Sequence, residues 1–499
     1  MKKKLLYLLI IVFVGFSVHG QFSKTHYIPP LSNSSSMIIG NKFIYISTPS
    51  INPINVQLKE IGGNTINASV SRDAPFVYDT NSGTPDQLFV NQNQVNEVLS
   101  NKGYIIEAED VVYVSVRVDT SDGFQAGALV SKGLASLGTE FRIGGFLNTL
   151  VQSYSNIHHT FITVLATENN TEVSFSNIKP NATLLNSTTG SNPFTVVLNS
   201  GESYAVAVQG PNTNNRDALI GALVNSDKPI VVNCGSIGGT NGELSNLDLG
   251  FDQIVGAQRV GNEYIFLRNT GQDNVERVLL IANEDNTGIY MNGSTTPSYI
   301  LNAGDYGTYI GADFNPEGVL YIRSADATDP LIKKNVFAYQ SIGDNVFTGQ
   351  ANQEMFFVPP LSCQTPKVIN NIPLIEDLGG RTFTGRVTIT TQVGATLNFI
   401  INGVNYTLAG LNGIGINVQG PIAVTGNPNY ECYILIGLSG NVAAYSTGEL
   451  YLAAYGSDGA ATFGGYYSGF TFNPEISFNR LDITSANCIP NTILGVNTL

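Results

Sequence analysis

The stretch Ile162-Thr-Val-Leu-Ala-Thr-Glu-Asn-Asn-Thr-Glu-Val173 returns as Val278-Leu-Leu-Ile-Ala-Asn-Glu-Asp-Asn-Thr-Gly-Ile289. Ala166, Glu168, Asn170 and Thr171 recur as Ala282, Glu284, Asn286 and Thr287, each 116 residues later. Each copy is a β-branched run, a polar turn and a second alternating run, which predicts a hairpin. Asparagine tolerates the positive backbone angles such a turn needs. Shorter copies stand at Phe43-Ile-Tyr-Ile-Ser-Thr48 and Val387-Thr-Ile-Thr-Thr391, so the period is roughly 110–120 residues. Other landmarks keep the beat. Leu198-Asn-Ser-Gly-Glu202 matches Leu301-Asn-Ala-Gly-Asp305, and Leu137-Gly-Thr-Glu-Phe141 matches Val260-Gly-Asn-Glu-Tyr264. Ile28-Pro-Pro-Leu-Ser32 matches Val358-Pro-Pro-Leu-Ser362, and paired prolines belong at lead-in or edge segments of a sheet.

Between landmarks run short alternating segments such as Val112–Val118 and Tyr204–Val208, which suggest sandwiches or barrels. Only 93–101 reads as helix-like. The expected fold is all-β, with four related β-sandwich-like modules of roughly 115 residues packed in tandem. The alternative is a large-bladed, propeller-like arrangement, although ordinary blades run only about 40–50 residues. Module limits fall near 21–137, 138–260, 261–353 and 354–475, and 476–499 reads as a linker or the start of a further domain.

Composition agrees. Of the 499 residues 12% are charged, against about 25% in typical soluble domains, and glycine alone supplies 52 positions. That balance excludes coiled coils, helical bundles and acidic disorder, and the absence of Trp removes tryptophan platforms. Residues 1–20 combine Lys2, Lys3 and Lys4 with an apolar run and a small final residue, as a secretory signal peptide does. Its removal leaves 21 basic against 38 acidic residues. A chain so acidic is a poor nucleic-acid partner, because binding DNA or RNA needs clustered Lys and Arg. No later apolar run is long enough to span a bilayer. Export permits disulfides among Cys234, Cys363, Cys432 and Cys488, and Cys363 with Cys432 is the preferred pair because both lie in one module.

Catalytic chemistry finds little footing. His158 and His159 are adjacent, so on a strand they point to opposite faces, and surface or edge positions are expected for them. No nucleophile elbow, Walker loop or dinucleotide fingerprint is present. Paired carboxylates at Glu107 and Glu109-Asp110, or Glu168 and Glu172, keep a glycan-active hydrolase as the rival reading. No cofactor is expected. Calcium alone has weak candidates, Asp119 with Asp122 and Glu284 with Asp285, and an Asx-type turn accounts for either group. Tyr466 and Phe470 share one strand face and are the candidate binding patch.

The run Asp248-Leu-Gly-Phe-Asp-Gln253, the Val260–Tyr264 landmark, Asp227-Lys-Pro-Ile230 and the alanine-turn-threonine segments together resemble the IgGFc-binding protein N-terminal family. The resemblance covers most of 21–475. It is similar to the form found in Bacteroidota cell-surface and gliding-motility-associated proteins, where segments like Gly448–Leu452 and Tyr467–Phe470 follow the fourth module. It implies no catalytic residues, and in such proteins repeats and a type IX sorting domain usually follow. The expected protein is a secreted or cell-surface, non-enzymatic adhesion or recognition protein. It would bind an extracellular polysaccharide or a surface protein through module-edge loops. A structural spacer displaying a downstream domain is the third reading.

Overall fold

In each quarter of the chain two small sheets face each other, and the strand order is the same four times. The computed structural model describes residues 21–149, 157–187, 193–241, 247–343 and 354–470; the expected signal peptide at 1–20 and the expected linker at 476–499 lie outside them. In the third module one sheet runs Tyr299–Leu301, Thr287–Met291, Val319–Asp326, Glu263–Leu267. The other runs Tyr306–Ile310, Arg277–Ala282, Val336–Ser341, Met355–Phe357. The closing strand Met355–Phe357 pairs back onto Tyr339–Ser341, so the third module's pairing reaches Phe357.

The other modules repeat this order. In the first and second, one long strand serves both sheets. Leu223–Gly239 pairs with Gly138–Arg142 and Thr171–Ser176 through its first half, and with His159–Ala166 and Asp248–Ile254 through its second. Pro229 sits where it changes sheets, opposite a register shift, as a proline in a strand must. Tyr104–Thr120 does the same in the first module. The fourth module adds an edge strand, Asn417–Ala423, beside Tyr430–Leu438.

The repeated sequence proves to be an arch rather than a hairpin. His159–Ala166 bonds to Ser203–Gln209 and Leu223–Gly239, whereas Thr171–Ser176 bonds to Phe194–Leu198 and Leu223–Gly239. The turn between them therefore crosses from one sheet to the other. Both turn types need a positive φ, which Asn170 (54°) and Asn286 (56°) supply, so the turn residues alone could not tell them apart. Each recurring residue has a matching task in both copies. The carbonyls of Glu168 and Glu284 accept from the hydroxyls of Thr171 and Thr287, at 2.8 and 2.7 Å. Ala166 and Ala282 exchange backbone hydrogen bonds with Gly201-Glu202 and Gly304-Asp305, so one arch is laced to the next. Residues 93–101 are not helical. A 3₁₀ turn at Gln92–Gln94, capped by Asn91, leads to extended, buried Val95 and the short strand Val98–Leu99.

The four sandwiches close on themselves. The closing strand of the first module, Ala126–Val130, packs on that of the second, Asp248–Ile254. The latter packs on Met355–Phe357, this on Ala461–Tyr466 of the fourth, and Ala461–Tyr466 returns to Ala126–Val130. Four edge strands thus cover one another, which removes the unpaired edges that would invite aggregation. Tandem sandwiches and a blade-like arrangement meet here, as sandwiches set around a common centre. Apolar side chains fuse every seam. Phe161, Ile237 and Phe251 of the second module join the first module's core, and the second and third share one continuous cluster. Ile265 and Tyr321 meet Val424 and Ile434 between the third and fourth. Ala126 and Ala128 meet Phe383 and Phe463 between the first and fourth.

Candidate functional site

Tyr466 and Phe470 do not form a surface patch: they are 5% and 2% exposed and belong to the shared core. Phe470 stacks on Phe357 at 5.6 Å, and Tyr466 meets Phe356 edge-on at 6.4 Å. The closing strand on which Tyr466 lies is covered by its neighbours, which sequence alternation could not reveal. The Cys363–Cys432 pair is likewise corrected. Cys432 is a free, buried thiol beside Thr390 Oγ1 at 3.4 Å, Cys234 is also free, and Cys363 is disulfide-bonded to neither. Cys432 lies within the covered seam between the third and fourth modules. Burial pushes both free thiols up to about 12, so neither is a ready nucleophile.

His26, His158 and His159 are core residues, so the surface or edge positions expected for the last two are corrected. His159 lies on a central strand with Nε2 2.9 Å from Ser32 Oγ, and His158 Nε2 is 3.0 Å from Thr160 Oγ1. Desolvation pushes His26 and His158 down to about 4 and His159 to about 3, so all three stay neutral near pH 7.

The calcium candidates are engaged by donors of the chain itself, mostly from other segments. Asp119 accepts from the backbone and side-chain nitrogens of Asn41 at 3.0 and 3.1 Å, and Asp122 accepts from Thr120 Oγ1 and Phe124 N. Glu284 pairs with Lys334 at 3.0 Å and Asp285 accepts from Ala303 N at 2.9 Å. Among the described residues no group of three or more His, Cys, Asp or Glu is placed to hold a metal ion. As for the carboxylate pairs, Glu107 binds Lys59 at 2.6 Å and Glu109 accepts twice from Asn55. Those two donors hold Glu109 below its ordinary range, opposite to what a general acid requires.

A groove of about 590 Å³ opens instead where the first module meets the second. The short parallel pair Leu31–Ser32 and Phe89–Val90 sets loop 33–38 beside Asn91, Gln92 and Asn93. The loop is held by Asn33 Nδ2 donating to Met37 O at 2.7 Å and Met37 N to Ser34 O at 3.2 Å. Amides knit the rim. Gln92 Oε1 accepts from the backbone and hydroxyl of Ser35, and Gln92 Nε2 donates to Gln209 Oε1 at 2.8 Å. Asn186 of the second module donates to the carbonyls of Gln92 and Val95 at 2.9 and 3.1 Å.

The lining combines neutral amides and hydroxyls with an apolar share nearly as large, from Met37, Ile38 and Ile39, and Lys42 and Asp86 are its two charges. Both also line an adjoining hollow of about 180 Å³. Among the described residues Asn33 Oδ1 is a buried acceptor without a hydrogen-bond partner, and Asn93 is exposed. Phe89 is buried at 6% exposure, so stacking has no platform. Such a surface recognises hydroxyls and amides by hydrogen bonds rather than by charge. None of these residues stood out in sequence. Their only signal is the surplus of asparagine beside the Pro-Pro lead-in.

A family model described as IgGFc binding protein matches residues 126–456. Comparison with curated proteins returns no match. A solved chain described as a Ca2+-stabilized adhesin that helps an Antarctic bacterium reach out and bind ice is 11% identical, with a TM-score of 0.11, over 84% of this chain and 90% of that one. That likeness is too slight to carry an argument. Loops 33–38 and 91–93 of the groove precede the matched residues, whereas Asn186 and Gln209 fall within them.

Proposed function

We propose that this chain, which belongs to the IgGFc binding protein family, is a non-enzymatic extracellular recognition protein. Its groove takes a neutral, hydroxyl-rich ligand, either a polysaccharide or a glycosylated surface protein. The observation that carries the reading is the amide-lined groove at the seam of the first two modules. Membership in a binding family supports recognition without turnover. The described residues contain no helix long and apolar enough to cross a membrane. The finer parts of the reading are export through the leader at 1–20, display at the cell surface and a role in adhesion during gliding. They rest on the leader's composition and on the family resemblance, and the four module limits given above are proposed with them.

A glycan array, paired with a panel of surface proteins, tests this. The chain is expected to be retained on specific glycans without cleaving them. Lys42→Ala with Asn93→Ala removes two lining side chains that have no side-chain hydrogen bond or ion pair among the described residues. That double variant should weaken retention about tenfold, roughly 1.4 kcal/mol, while leaving the melting temperature unchanged. Unchanged retention in this variant would move the site elsewhere. Glycan turnover would favour the carboxylate hydrolase, and no retention on either panel would favour the spacer.

A further inference from the structure

The centre of the ring holds a buried cluster that recognition does not use. Lys132, just beyond the first module's closing strand, places Nζ 3.1 and 3.0 Å from the two carboxyl oxygens of Asp252 on the second module's closing strand. The two side chains are 0% and 1% exposed. Phe470 covers the nitrogen, with its ring centroid 5.1 Å away. Asp252 Oδ2 also accepts from Phe357 N at 2.9 Å, and Oδ1 from Gln253 N at 2.8 Å, so two backbone N–H groups polarise the carboxyl.

An amine and a carboxylic acid do not condense readily in water, because both ionise and because they are dilute. This site lessens both obstacles. Burial pushes Lys132 down and Asp252 up, favouring the neutral amine and neutral acid. Glu354, on the third module's side of the ring, is itself driven well up by burial and by Asp248 and Asp252. Contact distance supplies the proximity, and the surrounding core excludes the water that would reverse the reaction.

We propose that Lys132 and Asp252 condense, with no other reactant, into an intramolecular amide that covalently joins the first and second modules. The Nζ–Cγ bond forms and one Cγ–O bond breaks. The departing oxygen leaves as water, carrying the acid's hydrogen and one hydrogen from the amine. Nothing is oxidised or reduced. The link would lock one seam of the ring against mechanical load, whatever ligand the groove takes.

Peptide mapping of the full, reduced and alkylated chain tests it. Trypsin should fail to cut after Lys132, leaving segment 118–142 joined to segment 217–259 at the summed mass less one water. Fragmentation should place the join at Lys132 and Asp252, which separates it from dehydration of an aspartate within one peptide. Lys132→Arg keeps the cation but should abolish the joined species. If it does not fold, the parent map alone still decides. Recovery of separate linear peptides, one ending at Lys132 and one with intact Asp252, would show a buried ion pair only and overturn the proposal.

Discussion

Arg117→Ala is expected to open the ring between its first and fourth modules and to cost roughly 4–6 kcal/mol of stability, the sum of lost hydrogen bonds and lost packing. Arg117 is 2% exposed at the end of a strand shared by both sheets of the first module. Its guanidinium donates across the seam to the carbonyls of Pro373, Leu374 and Asp377 at 2.8, 2.6 and 2.5 Å. It also lies over the rings of Tyr45 and Phe463, at 4.0 and 4.9 Å. Alanine would strand the buried Pro373 carbonyl at about 1–3 kcal/mol, remove a donor from the half-buried carbonyls of Leu374 and Asp377, and leave a void beside two aromatic rings. Tyr45, which donates to Asp377 Oδ2 at 2.6 Å and accepts from Gly379 N at 2.9 Å, would lose its support. Calorimetry should show a large fall in melting temperature, and limited proteolysis should release a fragment cut between the modules. Arg117→Lys, which has no planar fork to reach all three carbonyls, should fall between. An alanine variant that melts with the parent and resists protease would mean this seam does not hold the ring.

Gly221→Val is expected to be comparably damaging at the opposite seam. Gly221 has φ +83°, which a β-branched residue tolerates poorly. An added Cβ would come within 2.0 Å of Gly304 O, a backbone atom of the third module's arch. Neither backbone can yield locally, because Gly221 N donates to Ile143 O at 2.8 Å and Gly304 N donates to Ala282 O at 2.9 Å. The second and third modules must therefore part, at a cost of about 3 kcal/mol or more. Gly403→Ala is the control. Its φ is +80° but no atom lies within 4 Å, so only backbone strain of about 1–2 kcal/mol is expected. Denaturant melts of the two variants separate steric closure from strain. Equal losses would show that the inter-module approach contributes nothing.

What was legible in the sequence was local and periodic. Ala166, Asn170 and Thr171 with their copies marked the same arch in two modules, and Phe43–Thr48 and Val387–Thr391 marked the matching strand in the others. Whether that turn joined partners in one sheet or crossed between two was not legible, since Asn170 has the same backbone need in either case. Ring closure was also hidden, because its partners are remote in sequence: Arg117 reaches residues more than 250 positions away. Tyr466 misled because strand alternation predicts one free face, and here a neighbouring module covers it. The run Asp248–Gln253, a family resemblance in the sequence, lies in the second module's closing strand and bears Asp252. The groove residues gave no motif. They surfaced in composition alone, as too few charges and too much asparagine.

Small-angle X-ray scattering from the purified chain tests the closed ring most directly. A compact body of this length should give a radius of gyration of about 22–23 Å by the scaling of globular domains. Four sandwiches strung end to end would instead give roughly twice that value or more. A value near the compact limit, with a bell-shaped Kratky curve, is the predicted result. An extended profile would contradict the closure on which the seams, the groove and the buried Lys132–Asp252 site all depend.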